Sequence, residues 1–329
     1  MRILGALIDD EPIDLQHARL KHQLWLEKSR IEISIVAQNL RVDGTLSFES
    51  NYISGRLDLN SARIAEALSL AFGTSFKDTV DLAGTNIGGR LVMRGASFAG
   101  AVSLNGTTVT GPAFLDDGAS FKGEVDLTGA SFGSDLVLSN ADFASTVRLT
   151  NAHIGSELRL GSKVQPAARW GSGPLELRNT RCASLQDRWP TKKEPEEASA
   201  WPAAIDLEGF TYDLLGGLLG GGGGPADMRA RPAPSYEAWL ARHRPFSPQP
   251  YEQLAKILRA SGDPGKANDI LYAARKRQRD DCRQAGEWGK WLGMSLLKAT
   301  IGYGLGRRYF WELRWVALFT LLGTLLLHF

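Results

Sequence analysis

The chain is poor in the residues that usually carry chemistry. Its two cysteines, Cys182 and Cys282, lie far apart and form no CxxC pair, which excludes a disulfide framework and a dithiol redox centre. The five histidines, His17, His22, His153, His243 and His328, include no two at a metal-binding interval. HExxH, GxSxG and the phosphate-loop signature are absent, as are a nucleotide fingerprint, a haem motif and a cysteine cluster. No catalytic residue, cofactor or metal is therefore expected, and the chain reads as a non-enzyme. Charge of one sign is also lacking overall: the net is +2, with 22% charged residues. The start, "MRILGALIDD", has no secretory leader. Long apolar runs are missing until the C-terminal end.

What is present is a period. "GRLVMRGASFA" (89–99), "GAVSLNGTTVT" (100–110), "GEVDLTGASFG" (123–133), "SDLVLSNADFA" (134–144) and "STVRLTNAHIG" (145–155) share an 11-residue frame. The frame extends back to "EPIDLQHARLK" (11–21), and units 66–77 and 111–122 carry one extra residue. Positions three, five and ten are apolar throughout, for example Leu57, Leu59 and Ile64, or Val125, Leu127 and Phe132. Position eight is small. Residues two apart in extended chain face the same way, so each unit predicts two short strands with a turn between them. Gly84, Gly95, Gly106, Gly129, Asn140 and Asn151 stand at that turn, where Gly and Asn tolerate the backbone required. One unit cannot bury its apolar face alone, so the units stack into a solenoid with ladders about 4.8 Å apart. The first residues read as the end of a unit, which predicts an open edge on the first coil, covered by a partner or by further chain.

The runs "ASFAG", "ASFKG", "ASFGS", "ADFAS" and "ARIAE" resemble the pentapeptide-repeat motif, and "AVSLNG" and "EVDLTG" resemble a six-residue variant of it. The resemblance covers residues 1 to about 166. It implies a mainly β chain, a right-handed quadrilateral β-helix whose large apolar residue and preceding small residue point inward. Ala96 with Phe98, Val102 with Leu104, Phe132 and Phe143 would then be solenoid core. The strict alternation of five and six suggests 11-residue double units and about 22 residues per coil.

Beyond the repeats the frame returns at 173–183, where Cys182 takes a core position. It breaks for a polar surface loop at about 186–202 and closes by 215, so the solenoid is expected over 1–215. Residues 216–234, with five consecutive glycines, read as a linker, since no Gly-Lys-Ser/Thr follows a strand. Residues 235–283 read as a helical hairpin, with Tyr251, Leu254, Ile257 and Leu258 on one face and Ala267, Ile270, Leu271 and Ala274 on the other helix. This stretch resembles a single tetratricopeptide-type hairpin.

Charge is distributed unevenly. Residues 1–166 hold 19 acidic and 15 basic residues, and residues 226–308 hold 8 and 16. Residues 284–308 read as an amphipathic interfacial segment, with Trp288, Lys290, Trp291 and Lys298 suited to a membrane boundary. Residues 309–329 read as a transmembrane helix, flanked by Arg307, Arg308, Trp311, Arg314 and Trp315. Basic residues before the apolar run place the solenoid on the cytoplasmic side, and with the resemblance this means a bacterial inner (cytoplasmic) membrane. The expectation is a membrane-tethered solenoid scaffold or protein-interaction module, with a protein partner and membrane lipid. No small-molecule substrate is evident. A nucleic-acid partner is disfavoured, because "ARKRQRDDCR" lacks interleaved aromatics. Two alternatives stand. Outward Asp58, Asp81, Asp126 and Asp135 allow a DNA-mimic inhibitor of a DNA-binding enzyme, a function the family resemblance implies. A membrane-associated oxidoreductase is the other, and no cofactor motif supports it.

Overall fold

The computed structural model describes residues 1–162, 165–188, 199–216, 228–304 and 309–328, with side chains of the last helix described over 315–324. Two compact units are present, Met1–Arg231 and Pro232–Phe329. The first is a parallel β-solenoid of about eight turns, and the second is helical.

Each full turn of the repeat region contributes four short strands, which pair in parallel with their counterparts one turn on and so build four stacks. The first stack begins at Arg2–Leu4, the second at Leu7–Ile8, the third at Ile13–Asp14 and the fourth at Arg19–Leu20. The second stack is an eight-stranded sheet ending at Arg169–Trp170, and the third is nine-stranded, ending at Ile205–Asp206. The first and fourth merge through the seven-residue strand His153–Arg159 into one 16-stranded sheet. Register follows the repeat: Leu57 pairs with Ile35, 22 residues before it, and with Val80, 23 residues after it, where the coil includes the longer unit 66–77.

The apolar columns form the core because the pleat sends alternate side chains to opposite sides. Ala96, Phe98, Val102, Leu104, Phe132 and Phe143 are all buried, none more than 1% exposed. Successive units fall on different stacks, so the tenth column divides in two. Phe76, Phe98, Phe121 and Phe143 stack in the second stack with ring centroids 4.8 to 5.1 Å apart, and Trp170 follows at 5.0 Å. Ile64, Ile87, Val109, Phe132 and Ile154 fill the fourth. Each ring thus adds aromatic contact to its apolar burial. Where position eight is threonine, its hydroxyl is inside and donates to a carbonyl of the preceding coil: Thr74 to Phe48 at 2.7 Å, Thr85 to Leu59 at 2.8 Å and Thr107 to Leu82 at 2.7 Å. The buried hydroxyl is thereby satisfied.

Position seven turns the corner with a positive φ. Gly106 (63°) and Asn151 (60°) adopt it as expected, but so do Lys28 (48°), Ser50 (58°) and Phe72 (50°). Stacking on both sides holds these residues in a conformation that costs an L side chain energy when isolated.

At the far end of the unit, Cys182 is fully buried, and burial pushes its thiol up to about 12. Of the segment 186–202, residues 189–198 lie outside the described residues. Its two ends are interior: Asp187 and Trp201 are each 2% exposed. The Trp201 indole N–H donates to Asp187, and the buried Arg231 guanidinium pairs with the same carboxylate, one contact measuring 3.2 Å. Most of the glycine-rich segment, 217–227, also lies outside the described residues. Met228 and Arg231 after it are buried.

In the second unit, α1 spans Ala233–Leu240, α2 Gln249–Ala260, α3 Pro264–Gln284, α4 Trp288–Ile301 and α5 Tyr309–His328. The hairpin is α2 with α3. Tyr251, Leu254, Ile257 and Leu258 are buried against Ala267, Ile270 and Ala274, while Leu271 is half-buried. Gly262, with φ +84°, makes the turn, and the Asp263 carboxylate accepts from the Lys266 N–H at 2.9 Å to cap α3. Arg277 ties the connection between α1 and α2 to α3, donating to the carbonyls of Leu240 (2.8 Å) and His243 (2.6 Å) and to the Tyr251 hydroxyl (3.0 Å).

Candidate functional site

The strongest departure from ordinary protein surface is on α4 and α5. Trp288, Leu292 and Leu296 recur every four residues, so they lie along one side of α4. They are 61%, 55% and 58% exposed. Leu297 extends the patch, and Trp291 is half-buried with its ring 6.0 Å from Trp288, edge to face. Lys290 is exposed and Lys298 half-buried. Lys290 donates to Glu287 at 3.0 Å, which holds the Glu287 carboxyl below its usual range and raises the Lys290 ammonium. Gly302, at φ +56°, ends α4 in the left-handed cap geometry that glycine adopts freely.

α5 meets α4 where the Trp315 indole N–H reaches the Ala299 carbonyl at 3.4 Å, and Trp315 is half-buried. The next residues, Val316, Leu318, Phe319, Leu321 and Leu322, are all exposed. An apolar helix exposed on every side lacks the packed neighbour that such a helix needs in water.

The transmembrane helix expected over 309–329 falls partly outside the described residues. Among the described residues no helix is long and apolar enough to cross a membrane. The uncharged run of α5 starts only after Glu312 and Arg314, and the side chains of 311–314 and 325–329 lie outside the described residues. Arg307 and Arg308 lie outside the described residues, and so do the side chains of Trp311 and Arg314. The structure therefore groups Trp288, Lys290, Trp291, Lys298 and Trp315 on two touching helices. The leucines between them were legible as part of the interfacial segment, but their exposure was not.

A cavity in this unit, about 840 Å³, is lined by Arg244, Phe246, Tyr251, Lys276 and Arg277 with Glu237, Asp280 and Asp281. Its charges balance. Burial raises both the Tyr251 hydroxyl and the Glu237 carboxyl. Among the described residues no three His, Cys, Asp or Glu side chains are arranged to hold a metal ion.

The outward aspartates of the solenoid have structural work. Asp14, Asp58, Asp81, Asp126 and Asp206 all belong to the third stack, and each accepts the backbone N–H two residues on, at 2.9 to 3.1 Å. That is the Asx turn, in which a carboxylate caps the corner of its own coil. Arg56 bridges Asp58 and Asp81 at 3.0 and 2.9 Å, and Arg148 pairs with Glu124 and Glu176. Asp135 stands apart from this column and accepts from the Glu157 N–H at 3.2 Å.

Comparison with known families, with curated proteins and with solved structures finds no match.

Proposed function

We propose that this chain is a non-enzymatic scaffold, a right-handed quadrilateral β-helix of pentapeptide type that presents its outer columns to protein partners at the cytoplasmic face of a membrane. The observation that carries the membrane part is the exposed apolar side of α4, Trp288, Leu292 and Leu296, continued by Val316 and Phe319 on α5. A helix of this kind lies in the interface, its apolar side among the acyl chains and its lysines at anionic headgroups, each lysine contributing about 1 kcal/mol. Attachment here is interfacial and needs no span. The DNA-mimic reading is not favoured, since the third-stack aspartates cap turns and two arginines cross-link the column.

Vesicle flotation of the full chain tests this. Phosphatidylglycerol-containing vesicles should carry the chain to the top of the gradient, and the triple variant Trp288→Ser, Leu292→Ser, Leu296→Ser should stay at the bottom. A wild-type chain that does not float, or a triple variant that floats equally well, would sink the membrane reading.

A further inference from the structure

The outer column of the fourth stack begins with three arginines in register. Arg19 pairs with Arg41 across the ladder, and Arg41 with Arg63. The three guanidiniums therefore arise from rungs about 4.8 Å apart, an arrangement of like charges that costs stability unless something answers it. Among the described residues only the first is answered. Arg19 reaches up one coil to Asp43, with contacts of 3.0 and 3.2 Å.

The same step one coil higher leads from Arg41 to Ala65, and one higher again from Arg63 to Gly88. Neither position has a carboxylate. Gly88 can take no side chain at all, because a Cβ there would stand 2.3 Å from the Ala65 carbonyl oxygen. Arg41 and Arg63 are exposed and have no ion-pair partner among the described residues. The column then continues as uncharged Asn86, Thr108 and Ser131.

We propose that this unanswered column, Arg41 and Arg63 beside the half-neutralised Arg19, is the docking site for the acidic stripe of an α-helix in a partner protein. It rests on the scaffold reading and names the class of partner. Carboxylates at i and i+4 on a helix stand about 6 Å apart, close enough to the rung spacing for two long arginine side chains to meet both. An extended polyanion suits the surface less well. The cationic stretch is short, and residues 1–166 around it carry 19 acidic against 15 basic residues, which repel a dense line of phosphates.

The test uses the full chain and two labelled Ala-rich peptides of identical composition. One has Glu at every fourth residue, and the other has the same Glu residues spread around the helix. Anisotropy at low salt should show the striped peptide binding more tightly, and high salt should abolish that binding. Arg41→Ala with Arg63→Ala should weaken it about threefold to tenfold, the range for losing two exposed ion pairs. Ala65→Asp, which copies the Arg19–Asp43 arrangement onto Arg41 at an exposed site, should weaken it about as much as Arg41→Ala alone. Absence of binding, equal binding of the two peptides, or binding unchanged in these variants overturns the proposal. So does a double-arginine variant that loses phosphatidylglycerol vesicles or duplex DNA while keeping the peptide. The α4 triple variant separates the two readings: it should lose vesicle flotation and keep the striped peptide.

Discussion

Phe98 in the solenoid is fully buried, and Phe319 on α5 is 65% exposed. The same side chain has opposite surroundings in the two units. In the solenoid every coil is its neighbour's core, so apolar residues find partners by repetition and stability accumulates between adjacent turns. In α4 and α5 no such repetition exists, and a comparable set of apolar residues stays uncovered. The contrast teaches that apolar content alone does not tell a core from a docking surface. The period of the pattern does, because only a period guarantees a matching layer above and below.

The largest expected effect attacks that repetition. Phe132→Asp places a carboxylate in the fourth-stack core, beneath Ile154 and then Cys182 in the same column. An unpaired buried charge costs at least several kcal/mol, enough to open the neighbouring coils. The Cys182 thiol reports this locally, since burial keeps it protonated and inaccessible in the intact coil. Alkylation of Cys182 should be negligible in the wild type and rapid in the variant. Protection equal to wild type would break the inward assignment.

A smaller but still large effect is expected at the end of the solenoid unit. Arg231→Ala leaves Asp187 buried without its cation and should cost about 3–5 kcal/mol. The paired change Arg231→Met with Asp187→Leu should recover most of that in thermal unfolding. If the single and double variants melt alike, the ion pair is not what holds residues 228–231 to this unit.

Much of the difference between the two units was legible in the sequence, and the reasons differ by region. The three apolar columns, the turn glycines and the β-solenoid could be read because a ladder repeats one physical rule many times. The division of the tenth column into a phenylalanine stack and a branched-aliphatic stack was hidden, because two units make one coil and chain order interleaves them. Asp187, Trp201 and Arg231 gave no signal, since they occur once, across a long separation, in segments whose composition resembles loop and linker. The arginine column could have been seen at position nine of the units at 11, 33 and 55. It needed the coil length to show that those three units share a stack. α5 follows the apolar run in the sequence but begins six residues before it, at Tyr309.

The solenoid's internal polar contacts should be worth less than its apolar ones. Thr107→Val keeps the volume inside the corner but removes the hydroxyl that donates to Leu82. A single buried hydrogen bond contributes about 1 kcal/mol, and the Leu82 carbonyl would lose this partner. Urea unfolding should show a midpoint shift of that size with an unchanged slope. No shift would mean that position eight selects for size alone.

The smallest effect separates capping from charge in the third stack. Burial pushes the Asp126 carboxyl up, but the bonds from the Thr128 hydroxyl (2.6 Å) and N–H (3.0 Å), from Asn105, and the charge of Arg148 outweigh it, so the group lies below its usual range. A depressed acid contributes stability that is present above its unfolded value, about 4, and is lost as pH falls through the lower folded value. Asp126→Asn keeps an oxygen for the turn and removes the charge. Because the site is partly open to water, the cost at pH 7 should be only a few tenths of a kcal/mol. Asp126→Ala removes the cap as well and should cost about 1 kcal/mol. The difference between wild type and Asn should begin to shrink as pH drops below about 4, where the carboxyl of the unfolded chain takes up its proton, and should be gone below the lower folded value. Should Asn cost as much as Ala at neutral pH, the column would owe its place to charge, and the turn-cap account of the acidic stack would have to be given up.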